Sequence, residues 1–160
     1  EIKNEGNLEV SSSNIRKFLR SGEIEQANQL LTRKWTVSGI VIEGERKARE
    51  LGFRTANIKM NDYCDIRKGV YLVSLDIGDS YKQKLFGIAN FGVKPTFNKT
   101  RPLLEVHIFK FKDDIYRKRI KITFHKFIRV EKKFETIKKL KDQILKDIDQ
   151  VKNDDLLKNH

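Results

Sequence analysis

Thr55 and Asn57 place a hydroxyl and an amide carbonyl two residues apart, at the end of a glycine-containing stretch. Both groups are hard oxygen donors, the type Mg²⁺ takes when it also binds phosphates. The stretch runs Gly39-Ile-Val-Ile-Glu-Gly44, then a charged segment from Glu45 to Glu50, then Leu51-Gly52-Phe53-Arg54-Thr55-Ala56-Asn57. Glycine lets backbone N–H groups approach a phosphate with no Cβ in the way. On these residues alone an ordinary glycine-containing turn is the better reading, because short motifs recur by chance.

A second stretch, LLEVHIFKF (103–111), carries a carboxylate and an imidazole. Strand alternation puts Leu104, Val106 and Ile108 on one face, and Glu105 and His107 on the other with Phe109 and Phe111. A carboxylate beside aromatic surface is partly desolvated, which suits a general base. The alternative for Glu105 is a solvated strand residue. His107 and His125 read as sheet-face histidines, since no Cys or His stands at zinc spacing.

These residues need elements to hold them. Ser11, Ser12 and Ser13 offer N-cap hydroxyls before Ile15, Phe18 and Leu19, which recur at helical spacing up to Gly22. A second short helix carries Ile24, Ala27, Leu30 and Leu31 on one face and ends near Arg33. Five strand segments follow: 35–43, 69–77, 84–92, 103–111 and 119–128, all rich in β-branched and aromatic residues. In the last of them Ile120, Ile122 and Phe124 alternate with Lys121, Thr123 and His125, so one face should be buried and the other wet. Short strands without intervening helices predict a barrel or sandwich. Phe134, Ile137, Leu140, Ile144, Ile148 and Val151 then form the apolar stripe of a final helix that packs on it.

Composition bounds the rest. The chain has 160 residues and a net charge of +12, with a mean hydropathy of −0.59. That is one domain, perhaps with an appendage. Cys64 is alone, which excludes an intrachain disulfide. No apolar run approaches the roughly 20 residues of a spanning helix, and the first ten residues have no apolar signal core. A cytoplasmic protein without a membrane partner is the expectation. The excess of lysine permits a polyanion partner, either nucleic acid or a nucleotide.

The motifs GIVIEG, LGFRTAN, GVY, GIANFGVKPTF, LLEVHIFKF, IY and FIRVEKKF, in this order, resemble riboflavin kinase. The resemblance is strongest to the C-terminal kinase module of bacterial bifunctional riboflavin kinase/FAD synthetases, and it covers about residues 33–151. It implies a mainly β fold: a six-stranded antiparallel Greek-key barrel with a C-terminal helix and a short N-terminal helical segment. It implies transfer of the ATP γ-phosphate to the 5′-hydroxyl of riboflavin, giving FMN, with Mg²⁺ accompanying the ATP. The family's Thr and Asn of its Pro-Thr-Ala-Asn motif, which hold metal and phosphate, match Thr55 and Asn57. The family's base matches Glu105. Its nucleotide flap matches about Gly44 to Gly52, so that Gly44, Arg49 and Gly52 join Thr55 and Asn57 as nucleotide-binding residues. Arg129 and Glu131 match the segment near the flavin.

The resemblance further implies three stretches. Residues 1–33 would be the helical end of an adenylyltransferase module plus a linker, 34–152 the kinase barrel and its helix, and 153–160 a flexible tail. The adenylyltransferase module would be the partner in a full-length chain, which would also convert FMN to FAD. This stretch lacks the His-x-Gly-His element of that superfamily and is not expected to make FAD. Four positions depart from the family pattern: Ala48 and Arg117 replace glycines, Arg54 a proline and Lys94 an arginine. They bear on flap geometry more than on the chemical step. Two other readings compete. One is a flavin-binding module with little turnover. The other is a basic barrel for single-stranded nucleic acid, against which stand the core-facing aromatics and the carboxylate of Glu105.

Overall fold

Apolar residues recur along each predicted strand, and in the computed structural model these strands close a barrel. Residues 11–44, 52, 55–61, 64–78, 81–95 and 100–158 are described. The strands are β1 (Thr36–Ile42), β2 (Thr55–Lys59), β3 (Gly69–Asp76), β4 (Leu85–Pro95), β5 (Thr100–Ile108) and β6 (Arg119–Val130). The helices are α1 (Ser12–Ser21), α2 (Ile24–Leu31), α3 (Ile137–Val151) and α4 (Asp155–Lys158). Around the barrel the order is β1-β2-β5-β4-β3-β6, every pairing is antiparallel, and β6 returns to β1. Strands β3, β4 and β5 follow one another as hairpins, and β2 lies beside β5, which is a Greek key.

The interior is filled by alternate residues: Ala56 and Ile58, Tyr71, Val73 and Leu75, Ala89 and Phe91, Leu104 and Val106, Ile120, Ile122 and Phe124. Leu19, Ile24 and Ala27 of the first two helices belong to this same core, so α1 and α2 are folded against the barrel. Ser11 caps α1 by accepting from the Asn14 N–H, and Gly22 ends it at φ 83°, a conformation that costs glycine no Cβ clash. The Asn28 amide donates to the Phe124 carbonyl at 3.0 Å and its oxygen accepts from the Trp35 N–H at 2.6 Å. Each such buried bond contributes about 1 kcal/mol, and losing one partner costs more.

A second apolar layer lies outside the barrel. Val70, Leu72 and Ile88 point outward and are covered by Ile144 and Val151 of α3, with Leu140 and Ile148 beside them. The final helix therefore packs on the barrel as its stripe predicts, capped at its start by Thr136. Phe134 precedes this helix.

Three details differ from the sequence reading. The stretch after 152 does not simply fray: α4 forms there, the Asp154 carboxylate accepts from the Leu156 N–H, and Leu156 and Leu157 join the outer layer. Phe111 does not share the Glu105 face. The chain turns through Lys110 at φ 51°, and Phe111 enters the inner core against Tyr81. His125 is not on a wet face. The register of β6 against β3 slips at two places, once between Leu72 and Val73, where Leu72 pairs with Lys126 and Val73 with Phe124. His125 is the extra residue of that bulge, is only 4% exposed, and meets Ser74 Oγ at 2.8 Å through Nε2.

Burial, reinforced by Lys34 and Lys84, lowers the His125 pKa to about 4. The native chain thus holds this proton more weakly than the unfolded chain, whose imidazole titrates near pH 6.5. Stability is insensitive to this group above that pH and falls as pH drops from about 6.5 towards 4. His125→Gln removes the titration and leaves an amide for Ser74. Between pH 7 and pH 5 the unmodified protein should lose about 2 kcal/mol more than the variant in urea unfolding. His107 is shifted in the same direction and cancels in the comparison. Equal losses in the two proteins would refute this account of His125.

Candidate active site

Register builds the site on the outer face of the barrel. Asn57 of β2 pairs with Glu105 of β5, Glu105 with Asn90 of β4, Asn90 with Val70 of β3, and Val70 with Arg129 of β6. These five residues form one row, each side chain about 5 Å from the next. A second row runs parallel to it: Thr55, His107, Ile88 and Leu72. Ala56 and Ile58, the alternate residues of β2, face the core. So the period of two that buries Ala56 also presents Thr55 and Asn57 together on the outside.

A cavity of about 230 Å³ covers most of these rows. Its lining comes from Thr55, Asn57, Glu105, His107 and Asn90 of β2, β5 and β4, from Arg129 of β6 with Lys132 and Phe134 beyond it, and from Leu140, Ile144 and Asp147 of α3. Three of the residues singled out in the sequence, Thr55, Asn57 and Glu105, are thus brought together, and Arg129 stands at the far end. Glu131 is exposed and lies next to Asn90, whose amide donates to it at 3.5 Å. Gly44 lies against Asn57: a Cβ on Gly44 would stand 1.8 Å from Asn57 Nδ2. Gly52 is exposed, at φ 79°. Arg49, Ala48 and Arg54 lie outside the described residues.

The electrostatics divide the row. Thr55 Oγ1 is 3.3 Å from His107 Nδ1. Burial holds His107 below the usual imidazole range, against the pull of Glu105 and Asp147, so the ring is neutral at pH 7. In the tautomer protonated at Nε2, Nδ1 accepts the Thr55 hydroxyl proton and leaves the oxygen lone pairs free for a cation. Among the described residues no three His, Cys, Asp or Glu side chains gather to hold a metal ion. The donors that do converge, Thr55 and Asn57, are neutral oxygens, which fits a cation that arrives with phosphate ligands.

At the other end, Arg129 Nε donates to Asp147 at 2.9 and 3.1 Å, and a terminal nitrogen donates at 2.8 Å. The other terminal nitrogen donates to the Val130 carbonyl at 3.0 Å, and the guanidinium carbon lies 6.0 Å from the Phe134 ring centroid. Gln143 donates to Asp147 at 2.9 Å.

Asn90, His107 and Asp147 were not among the predicted site residues. Asn90 lies within the quoted motif GIANFGVKPTF, but only strand pairing puts it beside Glu105; its Oδ1 is buried and has no hydrogen-bond partner among the described residues. Asp147 left a signal: it interrupts the apolar face of α3 between Ile144 and Val151, and a carboxylate there needs a cation.

Comparisons with known proteins identify the family of the chain. The family model described as Flavokinase, riboflavin kinase, matches residues 31–154. The bifunctional riboflavin kinase/FMN adenylyltransferase of Buchnera aphidicola subsp. Schizaphis graminum is 42% identical over 147 residues, covering 91% of this chain and 46% of the relative. Its namesake in Bacillus subtilis is 42% identical over 148 residues, covering 89% and 46%. The chain therefore spans about half the length of the curated relatives it matches. Among solved structures, a Streptococcus pneumoniae protein titled a macrolide-efflux protein superimposes with a TM-score of 0.84 at 30% identity, over 95% of this chain and 49% of its own. Across its barrel and final helix, this chain belongs to the riboflavin kinase family.

Proposed function

We propose that this chain phosphorylates riboflavin, moving the γ-phosphoryl group of ATP to the 5′-hydroxyl to give FMN and ADP. One observation carries the reading. Glu105 stands in register between Asn57, on the side of the hard oxygen donors, and Asn90, on the side of Arg129. A base in that position has a phosphate donor on one flank and an acceptor molecule on the other.

Phosphoryl transfer asks a protein mainly for positioning and charge stabilisation. Glu105 orients the 5′-hydroxyl and accepts its proton as the oxygen–phosphorus bond forms and the bond to ADP breaks. Thr55 and Asn57 hold the phosphate end, and they are the residues that would hold Mg²⁺, which neutralises phosphate charge when bound. Gly44, with no Cβ, leaves room for the Asn57 amide. By the family resemblance Gly44, Gly52 and Arg49 are assigned to nucleotide binding, and Arg129 and Glu131 to flavin binding. In a longer chain the partner is an adenylyltransferase module that consumes FMN. Among the described residues no helix is long and apolar enough to cross a membrane, and the substrates are those of the cytoplasm.

Incubation with riboflavin, ATP and Mg²⁺, read by chromatography, should yield FMN and ADP in equal amounts, and chelation of the metal should stop both. Riboflavin binding without ADP production would select the flavin-binding module. Absence of both would overturn the reading.

A further inference from the structure

We infer that Asp147 of α3 is a positioning residue for the acceptor substrate, setting the Arg129 guanidinium to donate to an uncharged acceptor atom of the flavin ring. This rests on the kinase reading above and names the group that makes its flavin end work.

Asp147 is 2% exposed, and Arg129 is largely buried beside it, with 16% of its side chain exposed. A carboxylate at that depth needs a cation and hydrogen bonds. It receives three contacts from Arg129 and one from Gln143. The fork fixes the guanidinium plane, because two parallel N–H groups on one carboxylate allow one orientation. Arg129 has five N–H donors. Asp147 takes one on Nε and one on a terminal nitrogen, and the Val130 carbonyl takes one on the other. Among the described residues nothing takes the remaining two donors, on a group that lines the cavity.

The charge of the pair decides what those donors suit. Asp147 cancels the positive charge of Arg129 at contact distance, so the pair itself is polar but neutral, and Lys132 is a separate cation of the lining. An anion gains little there, whereas a carbonyl oxygen or ring nitrogen gains a geometrically fixed hydrogen bond. Asn57 and Thr55, on β2 at the opposite end of the row that runs through β5, β4 and β3, are left as the phosphate end. The same contact ties α3 to β6, so the helix that covers the cavity also orients its acceptor end.

The test measures two affinities in each variant: riboflavin by fluorescence quenching and MgADP by calorimetry. Asp147→Asn should weaken riboflavin about tenfold, the worth of one well-placed hydrogen bond, and leave MgADP within twofold. Arg129→Ala should weaken riboflavin at least as much. The double variant should be no worse than Arg129→Ala alone, since both changes remove one contact. Should Asp147→Asn fail to fold, Gln143→Leu removes only the amide that steadies Asp147, and a twofold to threefold loss for riboflavin alone is expected. Unchanged riboflavin affinity in folded variants would make Asp147 a mere staple between helix and barrel. Equal loss of both ligands, or additive losses in the double variant, would overturn the inference as well. An unmodified chain that neither binds nor phosphorylates riboflavin would instead break the kinase reading.

Discussion

Glu105→Gln should lower turnover by about 10²-fold or more, the low end of general-base contributions, with riboflavin and MgATP affinities within a few-fold. Glutamine keeps the size and shape of the side chain and removes the basic oxygen. The register places Glu105 between Asn57 and Asn90, on the outer face, with Val106 and Leu104 pinned in the core on either side. Such a residue cannot swing to another face without moving β5, so the loss should appear in kcat and not in binding, the pattern of a contact made in the transition state. If Glu105 were a solvated strand residue or a surface ion-pair partner, the change would cost only a few tenths of a kcal/mol and turnover would barely move. Steady-state kinetics of the variant, with riboflavin binding measured separately, distinguishes the two. Near-normal turnover would remove Glu105 as the base.

Alternation made Glu105 legible, and alternation also explains what was missed. In β5 the pattern is unbroken from Leu104 to Ile108, so faces could be read by counting. Past Ile108 the left-handed turn at Lys110 ends the count, and Phe111 falls into the core. In β6 an added residue at His125 has the same effect, because a period of two cannot survive an odd insertion. Strand β2 was not among the five strand segments. Its five residues do alternate, with Ala56 and Ile58 inward, but they are too few for periodicity to detect. Only the family resemblance supplied a sixth strand. Asn90 was hidden for a different reason. Its importance lies in what stands opposite it on β5, and pairing partners are a property of topology that no local pattern encodes. The helix could be read from its stripe alone, whereas the meaning of Asp147 required Arg129, 18 residues away in sequence.

Asn57→Ala should reduce kcat/KM for ATP by about 10²-fold, the usual scale for losing one preorganised polar group at a phosphoryl or oxyanion site. Riboflavin affinity in the absence of nucleotide should change little, because Asn57 lies on the opposite side of Glu105 from Arg129. Thr55→Val should show the same split, since it removes the hydroxyl and keeps the shape, and Thr55→Ser should restore most of the affinity. The sharper test leaves both donors in place. A Cβ on Gly44 would come within 1.8 Å of Asn57 Nδ2, closer than any real contact, so Gly44→Ala must displace the amide or the Gly44 backbone. Asn57 is itself buried, at 6% exposure, and has little room to yield. If Asn57 holds the phosphate end, Gly44→Ala should reproduce much of the Asn57→Ala defect in MgATP affinity while riboflavin binding survives. A merely structural Asn57 predicts another outcome: Gly44→Ala and Asn57→Ala would lower the melting temperature, and the affinity for MgATP in the remaining folded protein would be unchanged. That result in both the Asn57 and Thr55 variants would detach the two residues from the nucleotide and leave Glu105 without an assigned phosphate donor beside it.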